Sequence, residues 1–237
     1  MRIPGSRTFK KYLYKTQHSF YDALQMDRVP EERHRIALIN SMGFDGQWEL
    51  HRTFQMDFLR RNGLTGNTRF LEIGSGPLTL AIPLMQELNP GNYTGVDVRE
   101  SVTNLAYLEV SRAGLSARNP RLIVSNDFGA TALGDATFDV VWSFSVLYHL
   151  SDELIEEWFT NLKNRLAPDG RYWANINDDM EESRWLEFPF VNRNVDFYET
   201  AASKQKMTLK TLGTLAELGF KGEGPEKNNT MIEIRHA

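Results

Sequence analysis

The chain contains no cysteine, which removes disulfides, thiolate metal sites and cysteine nucleophiles together and fits a reducing compartment. No apolar run reaches the roughly 18 residues of a membrane-spanning helix, so no membrane partner is expected. The first residues are basic (Arg2, Arg7, Lys10, Lys11, Lys15) but carry no apolar h-region. No secretory signal is expected there, and the cytoplasm is the default location. Positive charge is not in excess: 27 basic against 31 acidic residues give a net charge of −4, so the basic field of a general nucleic-acid binder is missing. There are no internal repeats and no low-complexity tract. What remains is an ordinary globular composition, 41% hydrophobic over 237 residues. That suits one domain, or one domain with an appendage, whose core needs neither disulfide nor metal.

The chain is organised around Phe70-Leu71-Glu72-Ile73-Gly74-Ser75-Gly76-Pro77-Leu78. Thr68 to Ile73 reads as a short buried strand ending in a tight turn. Gly74 lets the chain reverse, and Gly76 lets a ligand approach the backbone closely. A helix should follow, with its free N–H groups pointing into the turn. Pro83 has no N–H to give the carbonyl of Thr79, so the loop should extend to about Leu80, with Pro83 in the helix's first turn. Tyr93-Thr94-Gly95-Val96-Asp97 is the next strand, one βαβ unit downstream, and closes on a carboxylate placed to hold ribose hydroxyls. The dinucleotide fingerprint wants a third glycine, and Gly74-x-Gly76-x-x-Thr79 lacks it. Glu72 is foreign to that fingerprint too.

With Leu71-Glu72-Ile73-Gly74-Ser75-Gly76 and Asp97 on the page, the chain resembles the class I S-adenosylmethionine-dependent methyltransferases. The form Glu-Ile-Gly-x-Gly-Pro-Leu is similar to a small-molecule and sugar-type branch of them. The resemblance departs at Leu78, where the family commonly has another glycine. It covers residues 43 to 176 well and the rest weakly. It implies a cofactor site of Glu72, Gly74, Ser75, Gly76, Pro77, Asp97, Val98, Asp127, Phe128 and Ser143. Asp127 would contact the adenine amino group, and Phe128 would cover the ring. The family's Gly-x-x-x-Trp…Gln…Phe-Leu pattern before the first motif corresponds to Gly43, Trp48, Gln55 and Phe58-Leu59. That helix would border the cofactor, or serve simply as a core helix.

Along the rest of the chain, residues 1 to 28 read as a basic, aromatic arm, and a helix starts near Pro30 and runs to Met42. A second helix spans about Gln47–Asn62, and another about Ser101–Gly114. Strands follow at Arg121–Val124 and Phe138–Ser143. His149 leaves the carboxyl end of the latter, the edge where ligands sit in open α/β sheets. Similar methyltransferases carry a His-Leu pair here. Ser151 caps a helix with acids in its first turn and Leu154, Ile155, Trp158, Phe159 and Leu162 on one face. Ala167-Pro168-Asp169-Gly170 should end it before a strand at Arg171–Ile176. The acids of Asn177–Glu182 read as a loop, with no metal site expected. Met207 to Leu218 reads as a short helix, and Phe220-Lys221 with Met231–Arg235 as a closing antiparallel hairpin.

The expectation is therefore an α/β fold: a seven-stranded, mostly parallel, doubly wound sheet with helices on both faces and an N-terminal helical extension. Residues 1–65 would be a helical cap, 66–237 the methyltransferase domain, and 178–206 a lid-like insertion shaping the acceptor site. The resemblance implies methyl transfer from S-adenosylmethionine to a small molecule, above all to a hydroxyl, with sugars among the candidates. His149 would be the base, with Tyr148, Asp178 and Asp179 in reserve. The alternatives are a nicotinamide-dependent oxidoreductase on a similar unit and a catalytically silent binding protein. A homodimer is left open.

Overall fold

The computed structural model describes residues 47–177, 183–185 and 188–237. The chain divides into two units, Met1–Trp48 and Glu49–Ala237. The expectations for the arm, for the helix near Pro30 and for Asp178 to Glu182 lie outside the described residues.

Five strands run parallel in the order β3 (Arg121–Val124), β2 (Tyr93–Asp97), β1 (Phe70–Ile73), β4 (Phe138–Ser143) and β5 (Leu166–Ile176). Antiparallel β9 (Thr230–His236) joins β5, and β8 (Met207–Thr214) joins β9, which completes a seven-stranded sheet. Alternate residues of each strand enter opposite cores, as a pleated strand requires. Phe70, Val140, Trp142, Trp173 and Met231 face one side. Leu71, Val141, Tyr172, Ala174 and Ile232 face the other. Helices α1 (Trp48–Arg61), α2 (Ala81–Glu87) and α3 (Glu100–Arg112) contribute to the first core. The second takes Leu133 of α4 (Ala130–Leu133), four apolar residues of α5 (Asp152–Arg165), and Tyr198, Ala201 and Ala202 of α6 (Val195–Lys204). The expected doubly wound α/β sheet is the fold observed.

Two expectations are corrected. Met207–Thr214 is a strand, not a helix, and Phe220-Lys221 is not one. Leu209, Leu212, Leu215 and Leu218 recur every third residue and imitate a helix face. Residues three apart lie on opposite faces of a strand, so Leu209 enters one core and Leu212 the other. A β-bulge lies between Thr211 and Gly213. The turn after β8 then buries Leu215. The second correction is smaller. β5 begins at Leu166, which pairs with Phe138, and the register resumes at Val140 with Arg171. Ala167-Pro168-Asp169-Gly170 is an excursion within the strand rather than a turn before it.

A small antiparallel hairpin, β6 (Ser183–Trp185) with β7 (Phe188–Phe190), follows β5 outside the main sheet. Asn194 caps α6 by accepting from the Phe197 N–H at 3.1 Å.

Candidate active site

The strand order reverses between β1 and β4, and in such sheets ligands bind at the carboxyl ends beside that point. The chain is strained there. Leu78, Phe128 and Ser145, each just beyond a parallel strand, have φ of 67°, 55° and 60°. Non-glycine residues hold that conformation at a cost of about 1–3 kcal/mol, and it gathers at functional sites.

The glycine turn is built as its sequence requires. Gly74 and Gly76 have φ of 74° and 52°. The Gly74 and Ser75 N–H groups both donate to the Val96 carbonyl, at 2.8 and 3.1 Å. A Cβ on Gly74 would lie 2.4 Å from Val146 Cγ2, so glycine lets the turn lie against the loop leaving β4. Helix α2 starts at Ala81, which places Pro83 in its first turn as expected. The Thr79 carbonyl that Pro83 leaves without a helical donor accepts from Arg52 Nε of α1 at 2.7 Å.

Asp97 ends β2 and faces this turn. Its Oδ2 accepts from the Gly76 N–H at 2.9 Å, and its Oδ1 accepts from the Arg99 N–H at 3.0 Å and from Arg99 Nε at 3.3 Å. A carboxylate has about four lone-pair positions, so capacity remains for ribose hydroxyls. Val98 beside it is half exposed.

Glu72 sits differently from a ligand contact. It is buried on the α1 side of β1 and accepts from the Tyr93 hydroxyl at 2.6 Å. Burial pushes its carboxyl up to about 8, with the Asp97 charge adding to the rise and the Tyr93 bond opposing it. Tyr93 and Gly95 were not singled out in the sequence. Yet a Cβ on Gly95 would meet the Tyr93 hydroxyl at 2.8 Å and Ser75 Cβ at 2.9 Å. Glu72, Tyr93, Ser75 and Gly95 thus form the floor under the glycine turn. No local motif reveals Tyr93, because its partners are contributed by a neighbouring strand.

At the end of β3, Asp127 works first on its own loop. It bonds the Ser125 hydroxyl, and Oδ2 accepts from the Thr131 N–H at 3.0 Å and hydroxyl at 2.6 Å. These bonds hold its carboxyl below the usual carboxylate range. The Phe128 ring packs on Trp158 with centroids 5.3 Å apart. Ser143 is fully buried, beside the Tyr172 hydroxyl.

Beyond β4, Ser145 is pinned by Asn175 Oδ1, which accepts its N–H at 2.6 Å. Leu147–His149 then makes a single 3₁₀ turn. His149 Nδ1 lies 2.8 Å from the Pro189 carbonyl of β7. The ring packs edge-on against Phe190, with centroids 4.5 Å apart. Burial lowers its pKa below the ordinary imidazole value, against the Pro189 bond and with help from the Arg99 charge. Tyr148 stacks on Phe190 at 5.1 Å, and burial pushes its hydroxyl well above the usual phenol value, which disqualifies it as a phenolate base. Arg99 joins the two halves of the site: it bonds Asp97 and lies 5.9 Å from the Phe188 ring centre.

On the α1 side the sequence reading named Gln55 and Phe58 and offered a core helix, but it missed their partners and His51. Gln55 Oε1 accepts from Trp142 Nε1 at 2.9 Å, and Phe58 packs on Trp142 and Trp173, so α1 is built as a core helix that also steadies the turn through Arg52. His51 is buried among Phe54, Phe144 and Phe220, and burial lowers its pKa to about 4. Among the described residues, no three His, Asp or Glu side chains converge as a metal site would need.

Residues 71–172 match the family model described as a methyltransferase domain. The matched segment runs from β1 into β5 and takes in the glycine turn, Asp97 and Asp127. Solved structures share the fold. Magnesium protoporphyrin IX methyltransferase from Synechocystis PCC 6803, with bound S-adenosylmethionine, is 14% identical with a TM-score of 0.58, covering 100% of this chain and 99% of that one. The glycopeptide N-methyltransferase MtfA is 14% identical with a TM-score of 0.61, over 78% of this chain and 95% of that one. An S-adenosylmethionine-dependent methyltransferase from Clostridium acetobutylicum ATCC 824 is 12% identical with a TM-score of 0.60, over 95% of this chain and 99% of that one. No curated protein matches the chain.

Proposed function

We propose that this protein transfers the methyl group of S-adenosylmethionine to an oxygen of a small molecule, a hydroxyl that His149 deprotonates. The observation that carries the oxygen assignment is the setting of His149: a part-buried imidazole beyond β4, oriented by a backbone carbonyl, whose burial lowers its pKa and so favours the neutral ring. A sulfonium methyl is displaced in line, and holding donor and acceptor at near-attack distance supplies most of the rate. A hydroxyl must also lose its proton, and a neutral imidazole can take it. Asp97 would hold the ribose, and the Gly74–Pro77 turn would cradle the methionine end. Asp127 would accept from the adenine amino group while keeping its loop bonds, and Phe128 and Val98 would line the adenine side; Ser143, fully buried at the end of β4, is separated from that side by β1 and β2.

The structures that share the fold act on acceptors as unlike as a porphyrin and a glycopeptide, so the fold leaves the acceptor open. The small-molecule reading comes from the resemblance carried by Glu72-Ile73-Gly74-Ser75-Gly76-Pro77-Leu78, and the hairpin β6–β7, whose Pro189 carbonyl meets His149, is a segment such an acceptor would pass. A nicotinamide cofactor has no support beside the missing third glycine, the buried Glu72 and the methyltransferase-domain match.

The test is His149→Ala against a panel of hydroxylated acceptors. General-base catalysis contributes about 10²–10⁴ in rate, and kcat should fall by that factor with S-adenosylmethionine affinity almost unchanged. In the wild type, activity should decline only below the ordinary imidazole pKa of about 6.5, because the folded value is lowered. A fully active His149→Ala enzyme would discard the base.

A further inference from the structure

The β6–β7 hairpin touches the candidate base in a way that decides which of its nitrogens can act. A carbonyl oxygen can only accept, so the 2.8 Å contact between His149 Nδ1 and the Pro189 carbonyl requires the proton on Nδ1. In the neutral ring the lone pair is then on Nε2.

We propose that the β6–β7 hairpin is a positioning element that holds His149 as its Nδ1–H tautomer through the Pro189 carbonyl, presenting Nε2 as the proton acceptor.

The hairpin is suited to this by its register. Pro189 pairs with Arg184 between the pairs Trp185 with Phe188 and Ser183 with Phe190. Antiparallel pairs alternate between those that exchange hydrogen bonds and those that point their groups outward. A proline has no N–H to exchange, so it belongs at the outward-pointing position, where its carbonyl is directed off the hairpin and away from Arg184. His149 is what that carbonyl meets. A second main-chain bond fixes the same alignment: the Val191 N–H donates to the Tyr148 carbonyl at 2.9 Å. The flanking phenylalanines close the arrangement. Phe190 packs edge-on to His149 and stacks on Tyr148, and Phe188 lies 6.1 Å from the imidazole and under Arg99. Among the described residues, groups facing the ring that carry or can carry charge include Arg99 and Tyr148. The ring's orientation and tautomer are thus set by a segment outside the main sheet.

This rests on His149 being the base, and the experiment separates the two. A long-range proton–nitrogen correlation spectrum of the isotope-labelled full chain, recorded above the imidazole transition, reads the tautomer of each of the five histidines. His149→Asn identifies the signal, and it keeps a donor for the Pro189 carbonyl. The expected result is a protonated Nδ1 and a bare Nε2. In Phe190→Ala the ring loses its edge contact. The spectrum should then show a mixture of tautomers, and kcat should fall about tenfold, a fraction of what a base supplies, with KM for S-adenosylmethionine unchanged. Phe190→Leu, which restores bulk, should recover most of the loss. A dominant Nε2–H tautomer in the wild type overturns the proposal. So does an Nδ1–H tautomer that Phe190→Ala leaves untouched with kcat unchanged, since the hairpin would not be what sets it. A fully active His149→Ala enzyme removes the base whatever the spectrum says.

Discussion

The Asp97 carboxylate has one task in the fold and a second in the proposed site, and substitutions separate them. It closes the glycine turn by accepting from the Gly76 N–H, and its remaining lone pairs are available to a ribose. Hydrogen bonds to a charged group are worth about 1.5–3 kcal/mol each. Asp97→Ala should weaken S-adenosylmethionine binding at least about tenfold, at about 1.4 kcal/mol per decade, and also lower stability by loosening the turn. Asp97→Asn keeps an acceptor for Gly76 and should lose affinity with less loss of stability. Calorimetric titration and melting curves of both variants measure the two effects, and unchanged affinity in both would take Asp97 out of the site. Glu72 gives a test of opposite character. Its carboxyl is raised to about 8 in the folded protein, against about 4.5 unfolded, so the folded state binds more protons between those values. Its contribution to stability is fully present below about 4.5 and is lost as pH rises through 8. Wild type should therefore gain stability relative to Glu72→Gln as pH is lowered from 8 toward 5, which denaturant midpoints at several pH values would show. Parallel pH curves would mean that Glu72 titrates as an ordinary carboxylate.

At the scale of elements, what was legible in the sequence was what is local. The β2, β3 and β4 boundaries follow from apolar runs bounded by turn residues, and the Ser151 cap and Pro83 fix two helix starts. The glycine turn was readable because its conformational demand falls on Gly74 and Gly76 themselves. The failures have a common cause in contacts from elsewhere in the chain. β8 was misread because its leucines fall three apart, which imitates a helix face but in a strand buried on both sides feeds the two cores in turn, and only pairing with β9 says that it is a strand. The floor under the turn was missed because Tyr93 and Gly95 belong to β2 while their partners belong to β1 and its loop. The Arg52 bond to Thr79 and the Gln55 bond to Trp142 join α1 to residues far along the chain, which periodicity cannot report. His149 lies in the 3₁₀ turn beyond β4, and its orientation comes from Pro189, forty positions on.

For the molecule as a whole, the proposed cofactor site draws on the ends of separate strands, so a ligand there should stabilise the whole sheet rather than one loop. Asp97 follows β2, the glycine turn follows β1, Asp127 follows β3, and these strands are contiguous in the sheet. A ligand that binds only the folded state adds RT ln(1 + [L]/Kd), about 2.7 kcal/mol at 100 times Kd. For a domain of this size that corresponds to about 5–10 °C in Tm. S-adenosylmethionine or S-adenosylhomocysteine should produce that shift, and NADH should produce none. The dinucleotide would need close helix–strand packing at the third glycine position, where Thr79 stands and its carbonyl is committed to Arg52. The shift should also shrink in Asp97→Ala by the affinity that variant loses, which ties the stabilisation to this site rather than to binding elsewhere. Thermal melts of the two proteins across a cofactor titration measure both. Stabilisation by NADH alone would reverse the assignment of the cofactor, and an equal shift in both proteins would move the binding site away from the end of β2.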